Sequence, residues 1–96
     1  MLRGVAAWVY LLRCADGTLY CGWTVDVERR LVAHNAGRAS RYTRSRLPVA
    51  LAWSQPQPDH SAARREEARI KALPRSRKLA LISAHASAAS RTPAKI

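Results

Sequence analysis

Two phenols, a guanidinium and an imidazole stand at Tyr10, Tyr20, Arg30 and His34, spaced so that a short β-hairpin followed by one helix brings them onto a common face. Hydrolysis of a phosphodiester needs groups of these kinds: a base or an oriented water for the attack, and cations where negative charge builds on the phosphoryl oxygens. Strand side chains alternate faces, so Tyr10 and Tyr20 lie together when the turn between them sets the register. Arg30 and His34 are i and i+4 and share one face of a helix. Each alone is ordinary, since a strand tyrosine usually packs and a histidine near a helix C-terminus complements the dipole. All four in this order point to chemistry. A free tyrosine, with a pKa of about 10, is a poor base at neutral pH, so a base role asks for Arg30, a metal or another cation to favour the phenolate.

The elements that must position these groups can be read from pattern. Residues 5–14 are apolar and rich in strand formers, and Asp16-Gly17 follows, a dipeptide suited to a tight hairpin turn. Residues 19–22 then form the returning strand. Thr24 or Asp26 can cap a helix whose first turn carries Asp26 and Glu28, with Val27 and Leu31 facing inward and Asn35-Ala36-Gly37 at its end. Residues 38–46 read as a basic loop with one aromatic, Tyr42, and residues 47–53 as a third strand that Pro48 places at an edge or at its own beginning. Asp59 or Ser61 can cap a second helix to about Leu73, and Pro74 breaks it before a short helix over about residues 76–84. The expected order is β-β-α-β-α-α, an α/β domain over residues 1–84 with a disordered tail over 85–96, where Ser, Ala, Thr and Pro lack periodicity.

Composition narrows the partner. The 96 residues carry seventeen Lys or Arg, most of them arginine, against six Asp or Glu, a formal charge of +11. That length suits one domain with a modest core, and the arginine excess favours planar, bidentate contact with phosphate, which makes nucleic acid the leading partner. Arg38, Arg41, Tyr42, Arg44 and Arg46 offer the surface: arginines for phosphates and Tyr42 for an exposed base, a combination suited to flexible, branched or single-stranded DNA. Cys14 and Cys21 lack redox or zinc spacing and read as free thiols of a cytoplasmic or nucleoid-associated protein. The apolar stretch after Arg3 runs straight into Arg13 and Asp16 without a cleavage site, and no apolar run approaches the roughly twenty residues of a membrane span.

With these residues in view, the chain resembles the GIY-YIG endonuclease superfamily, in particular its short stand-alone bacterial members. Trp8-Val9-Tyr10 stands at the first motif and Tyr20-Cys21-Gly22 at the second; the helix with Arg30 and His34, then Tyr42-Thr43, Ala63, Glu67, Ile70 and Lys71 continue the match in order. The resemblance implies a three-stranded antiparallel sheet flanked by helices, cutting DNA with one divalent metal, Mg²⁺ or Mn²⁺. It implies that Tyr10 and Tyr20 position or activate the attacking water, that Arg30 stabilises the phosphate, and that Glu67 holds the metal; His34, able to donate to a phosphate or to one of the phenols, reads as a supporting catalytic group. Lys71 joins the nucleic-acid contacts. Periodicity does not choose between Glu66 and Glu67, because both lie on or beside the stripe of Ala62, Ala63, Ile70 and Leu73; the resemblance selects Glu67. A lone carboxylate suits Mg²⁺, which keeps several waters.

Departures are also visible. Trp8 stands where the first motif has glycine, Cys21 replaces the isoleucine of the second, and many members carry an asparagine late in the domain, whereas the only one here is Asn35. The leading expectation is a metal-dependent DNA endonuclease of structure-selective or weak specificity, in DNA repair or processing, as monomer or dimer. Its alternative is a non-catalytic nucleic-acid-binding protein that keeps the fold, and an RNA anchor is a third reading.

Overall fold

The structure is a computed structural model and describes residues 4–90. Its elements are β1 (Ala7–Arg13), β2 (Leu19–Thr24), α1 (Val27–Asn35), α2 (Arg41–Arg44), β3 (Ala50–Gln57), α3 (His60–Lys71) and α4 (Arg75–Ser90). The three strands form an antiparallel sheet in the order β2-β1-β3. This is the expected order with one added turn of helix, α2, inside the basic segment. Ser40 starts that turn by accepting from the Tyr42 amide at 3.1 Å.

β1 is central because its residues are apolar on both faces, which only a strand covered on both sides can satisfy. Ala7, Val9 and Leu11 join Cys21 and Trp53 against Ala63 and Ile70 of α3, with Leu81 and Ile82 of α4 packed behind. On the other face Tyr10 and Leu12 pack with Cys14, Val49, Tyr20, Leu31 and Leu47. One face of the sheet is thus sealed by α3 and α4, and the other carries the aromatic groups. The β1–β2 turn is held by Asp16, whose Oδ1 accepts from the Thr18 amide at 3.0 Å and hydroxyl at 2.6 Å, while Gly17 takes the positive φ of 86° that other residues resist. Those Thr18 bonds hold the Asp16 carboxyl below its usual range.

Three boundaries differ from expectation, each for a local reason. β3 begins at Ala50 and runs to Gln57 rather than ending near Trp53. Pro56 argues against a strand only where its missing amide would face a partner, and β3 is an edge. α3 is capped by Asp59, which accepts from the Ala62 amide at 2.7 Å, and ends at Lys71. α4 continues to Ser90, so the expected disordered tail is helical over residues 85–90; residues 91–96 lie outside the described residues. Alanine-rich sequence without Gly or Pro sustains a helix whether or not a polar and an apolar face alternate. Among the described residues, no helix is long and apolar enough to cross a membrane.

Candidate active site

The hairpin register sets Tyr10 of β1 directly opposite Gly22 of β2 and Leu12 opposite Tyr20. Tyr10 and Tyr20 consequently stand on one face, with ring centroids 6.4 Å apart. The Tyr10 ring lies over Gly22: a Cβ there would come within 2.6 Å of the Tyr10 hydroxyl and 2.7 Å of Cζ. No side chain fits at residue 22 unless Tyr10 moves.

α1 brings the remaining groups. Asp26 caps it, accepting from the Arg29 amide at 3.1 Å, while the Thr24 hydroxyl accepts from the Asp26 amide at 3.2 Å, so the two capping candidates act in sequence. Val27 and Leu31, expected to face inward, are half-buried, and the one fully buried residue of α1 is His34, 1 % exposed. Asn35 fastens the end of α1 to the segment before β3 by accepting from the Val49 amide at 2.8 Å and donating to its carbonyl at 3.0 Å.

His34 makes two hydrogen bonds, Nε2 with the Tyr10 hydroxyl at 2.9 Å and Nδ1 with Thr43 Oγ1 at 2.8 Å. Thr43 Oγ1 donates to the Ser40 carbonyl at 3.3 Å. Its single hydrogen being used there, Thr43 accepts from Nδ1–H, which leaves Nε2 unprotonated to accept from Tyr10. The result is a directed chain, Tyr10 O–H to His34 to Thr43 to the Ser40 carbonyl, that leaves the lone pairs of the Tyr10 oxygen free. Burial, followed by the Arg30 charge, lowers the His34 pKa and keeps the ring neutral. Burial and then the neighbouring Tyr20 raise that of Tyr10, against the opposing pull of Arg30. Tyr10 is therefore a neutral phenol, not a phenolate.

Tyr10, Tyr20, Arg30 and Glu67 line one cleft of about 340 Å³, with Gly22, Trp23, Thr24 and Val25 completing its wall. His34 is not in that wall; it reaches the cleft through its hydrogen bond to Tyr10. The two glutamates separate clearly. Glu66 receives both Nε and Nη2 of Arg69, at 3.0 and 2.6 Å, and those bonds hold its carboxyl low. Glu67 turns to the cleft, with Lys71 Nζ 3.5 Å from Oε2. Cys21, on the opposite sheet face from Tyr20, packs its Sγ against the Glu67 carbonyl at 3.8 Å and so fixes the turn of α3 that carries this carboxylate. Burial pushes the Cys21 thiol up to about 11, which removes it as a nucleophile. Among the described residues, no group of three or more His, Cys, Asp and Glu could enclose a metal.

The basic segment is less open than expected. Tyr42 stacks on Tyr20 with centroids 5.9 Å apart, and the Arg46 guanidinium lies 3.8 Å from its ring centroid. Arg46 also donates to Asp16 Oδ2 at 3.0 Å and to the Tyr42 carbonyl at 2.9 Å. Tyr42 and Arg46 thus brace the site from outside rather than offering a bare ring to a base. Arg38, Arg41 and Arg44 are exposed, and Lys71 lines a neighbouring depression with Tyr20, Tyr42 and Lys78. Sequence reasoning passed over Gly22 as a space-maker and Thr43 as the partner of His34. The first was signalled by a glycine two residues from a strand tyrosine; the second stood in the ordered match as Tyr42-Thr43, but its contact with His34, across nine residues, left no periodic pattern.

Residues 6–80 match the family model described as the GIY-YIG catalytic domain. The chain belongs to the GIY-YIG family. A UPF0213 protein of Nitratidesulfovibrio vulgaris is 54 % identical over 75 residues, 78 % of this chain and 68 % of that protein. Two solution NMR structures are also similar. The UPF0213 protein BH0048 from Bacillus halodurans has a TM-score of 0.52 at 40 % identity, covering 80 % of this chain and 82 % of the other. The protein EF2693 from E. faecalis has a TM-score of 0.56 at 30 % identity, covering 100 % and 99 %. UPF0213 proteins are small stand-alone GIY-YIG members, and the GIY-YIG superfamily consists generally of nucleases, so nucleic acid is the substrate class the family implies. The two GIY-YIG tripeptides are here the facing segments of one hairpin, the tyrosine of the first packed over the glycine of the second.

Proposed function

We propose that this protein is a metal-dependent DNA endonuclease, structure-selective or weakly selective, acting in DNA repair or processing in the cytoplasm. The observation that carries the reading is the convergence of Tyr10, Tyr20, Arg30 and Glu67 on one cleft, with Tyr10 hydrogen-bonded to a neutral, buried His34. Glu67 is the one carboxylate in that wall, and a cation, the Lys71 ammonium, already lies beside it. That single carboxylate fits Mg²⁺ or Mn²⁺, with waters and substrate phosphate oxygens as the other ligands. The ion, when bound, supplies positive charge at the phosphoryl and leaving oxygens.

The chain's own groups divide the remaining work. Tyr10 Oη accepts a proton from the attacking water while its own proton passes to His34 Nε2; the water oxygen bonds to phosphorus, and the bond to the leaving oxygen breaks as that oxygen takes a proton from solvent. A phenol that hands its proton on acts as a base without first becoming a phenolate, which answers the high pKa that burial gives Tyr10. Arg30 faces the phosphoryl oxygens as their charge grows, and Tyr20 orients water or phosphate from the opposite strand.

Labelled duplex, flap, branched and single-stranded DNA incubated with Mg²⁺, Mn²⁺ or EDTA tests this directly. Cutting of at least one form, abolished by EDTA, is expected. The Glu67–Lys71 ion pair favours one competing reading, a non-catalytic nucleic-acid-binding protein in which Lys71 holds the carboxylate. Binding without cutting under any metal supports that reading instead.

A further inference from the structure

A second depression abuts the cleft. It is lined by Trp23, Ser61, Arg64, Arg65, Glu67 and Ala68, and it shares Trp23 and Glu67 with the cleft. Arg64 and Arg65 are exposed, and no carboxylate lies within ion-pair distance of either among the described residues. Arg65 Nη1 donates to Ser61 Oγ at 3.1 Å, which aims it along the first turn of α3. Trp23 is half-buried: it packs on the core, with His60 5.3 Å from its ring, yet contributes to the walls of both depressions. A third depression is joined to the cleft through Tyr20 and bears Lys71 and Lys78, Lys71 following Glu67 on α3 where Arg64 precedes it.

Arg64, Glu67 and Lys71 are spaced i, i+3, i+7, so they follow one face of α3. Arg64 to Lys71 spans about 10 Å along the helix axis, the length of a few nucleotides and far short of the roughly 34 Å of one duplex turn. A cation–aromatic–carboxylate–cation series of that length suits one strand crossing the site, with phosphates held on either side of the one that reacts and a base laid on indole.

We propose that the depression formed by Trp23, Arg64 and Arg65 is a subsite for single-stranded DNA, holding the nucleotides on one side of the reacting phosphate while Lys71 and Lys78 hold those on the other. It deepens the nuclease reading and rests on it for the position of the reacting phosphate. Arg64 and Arg65 bind phosphates; Trp23 stacks on an unpaired base. A duplex has no free base for Trp23, so flaps and junctions with a single-stranded arm bind best.

The test measures binding by fluorescence anisotropy in EDTA, so that no cutting is required. For a labelled single-stranded oligonucleotide, the Arg64→Ala/Arg65→Ala variant is expected to bind about tenfold more weakly. Its dependence of log K on log salt should be shallower by about 1.4, at roughly 0.7 per phosphate lost from a single strand. Trp23→Leu, which keeps apolar volume against the core, should lose about fivefold or more on that oligonucleotide and nothing on one whose central positions are abasic. Unchanged affinity and salt slope in the arginine variant overturns the subsite, and an equal loss on both oligonucleotides in Trp23→Leu overturns the stacking. Because both arginines are exposed, their variant keeps the native unfolding midpoint, and a binding change in it is not a folding defect. Failure of the nuclease reading registers separately, as wild-type protein that shows these binding differences and cuts nothing with metal.

Discussion

At the scale of single residues the site depends on two close fits, one of space and one of protons. Gly22→Ala places a methyl group where the Tyr10 hydroxyl lies. With Tyr10 buried and tied to His34, relief requires strain of the order of 1–3 kcal/mol; urea unfolding should read a loss in that range, together with loss of cutting. Thr43→Val removes the acceptor for His34 Nδ1–H in a pocket without water access, since both residues are 1 % exposed or less. A buried donor left unpaired costs about 1–3 kcal/mol, and the variant's unfolding midpoint should fall accordingly. The sign of the pH dependence follows from His34. Its folded pKa is depressed, so the unfolded chain binds more protons below the ordinary histidine value of about 6.5, and stability falls as pH falls through that region. His34→Gln should flatten the fall in unfolding temperature between roughly pH 7 and 5 relative to the wild type, measured by calorimetry; an unchanged slope would mean that His34 is not held neutral. The shared face of Tyr10 and Tyr20 was legible because the strand period and Asp16-Gly17 fix the register. The relay through Thr43 was not, since it depends on where a loop returns in space.

At the scale of elements, each helix contributes to the site through one end or one face. α1 is short, and its single fully buried residue is polar, so caps and tethers hold it more than apolar packing does. Asp26→Ala, which removes the N-cap acceptor for the Arg29 amide, should cost about 1 kcal/mol by denaturant titration. α3 is anchored by Ala63 and Ile70, both wholly buried, and Ile70→Ala should cost about 2–5 kcal/mol. The stripe that predicts α3 does not say which of two adjacent glutamates turns toward the cleft. That is decided by Arg69 drawing Glu66 aside and by Cys21 packing under Glu67, contacts that a helical wheel does not contain. Likewise the two prolines make Gln55 to Asp59 read as a loop, since proline is a strand breaker in general, whereas β3 runs on to Gln57; the exception, a free edge, is a property of the sheet. α4 outlasts its expected end because helix propensity needs no periodic pattern once earlier turns dock Leu81 and Ile82 on the core.

At the scale of the whole molecule, the surplus of cations has a division of labour that its total does not reveal. Arg46 and Arg69 pair with carboxylates at the surface, Lys71 leans on Glu67, and Arg64 and Arg65 have no ion pair among the described residues and stand beside the cleft. Binding to DNA should weaken steeply with salt, as counterion release demands. The proposal that one cleft, built from the hairpin, α1 and α3, cuts DNA is tested most sharply by comparing wild type, Arg30→Ala and Glu67→Ala on the same labelled flap substrate in Mg²⁺, with binding followed in parallel. Both variants should lose metal-dependent nicking while retaining affinity within a few-fold; nicking that survives in either variant contradicts the proposal.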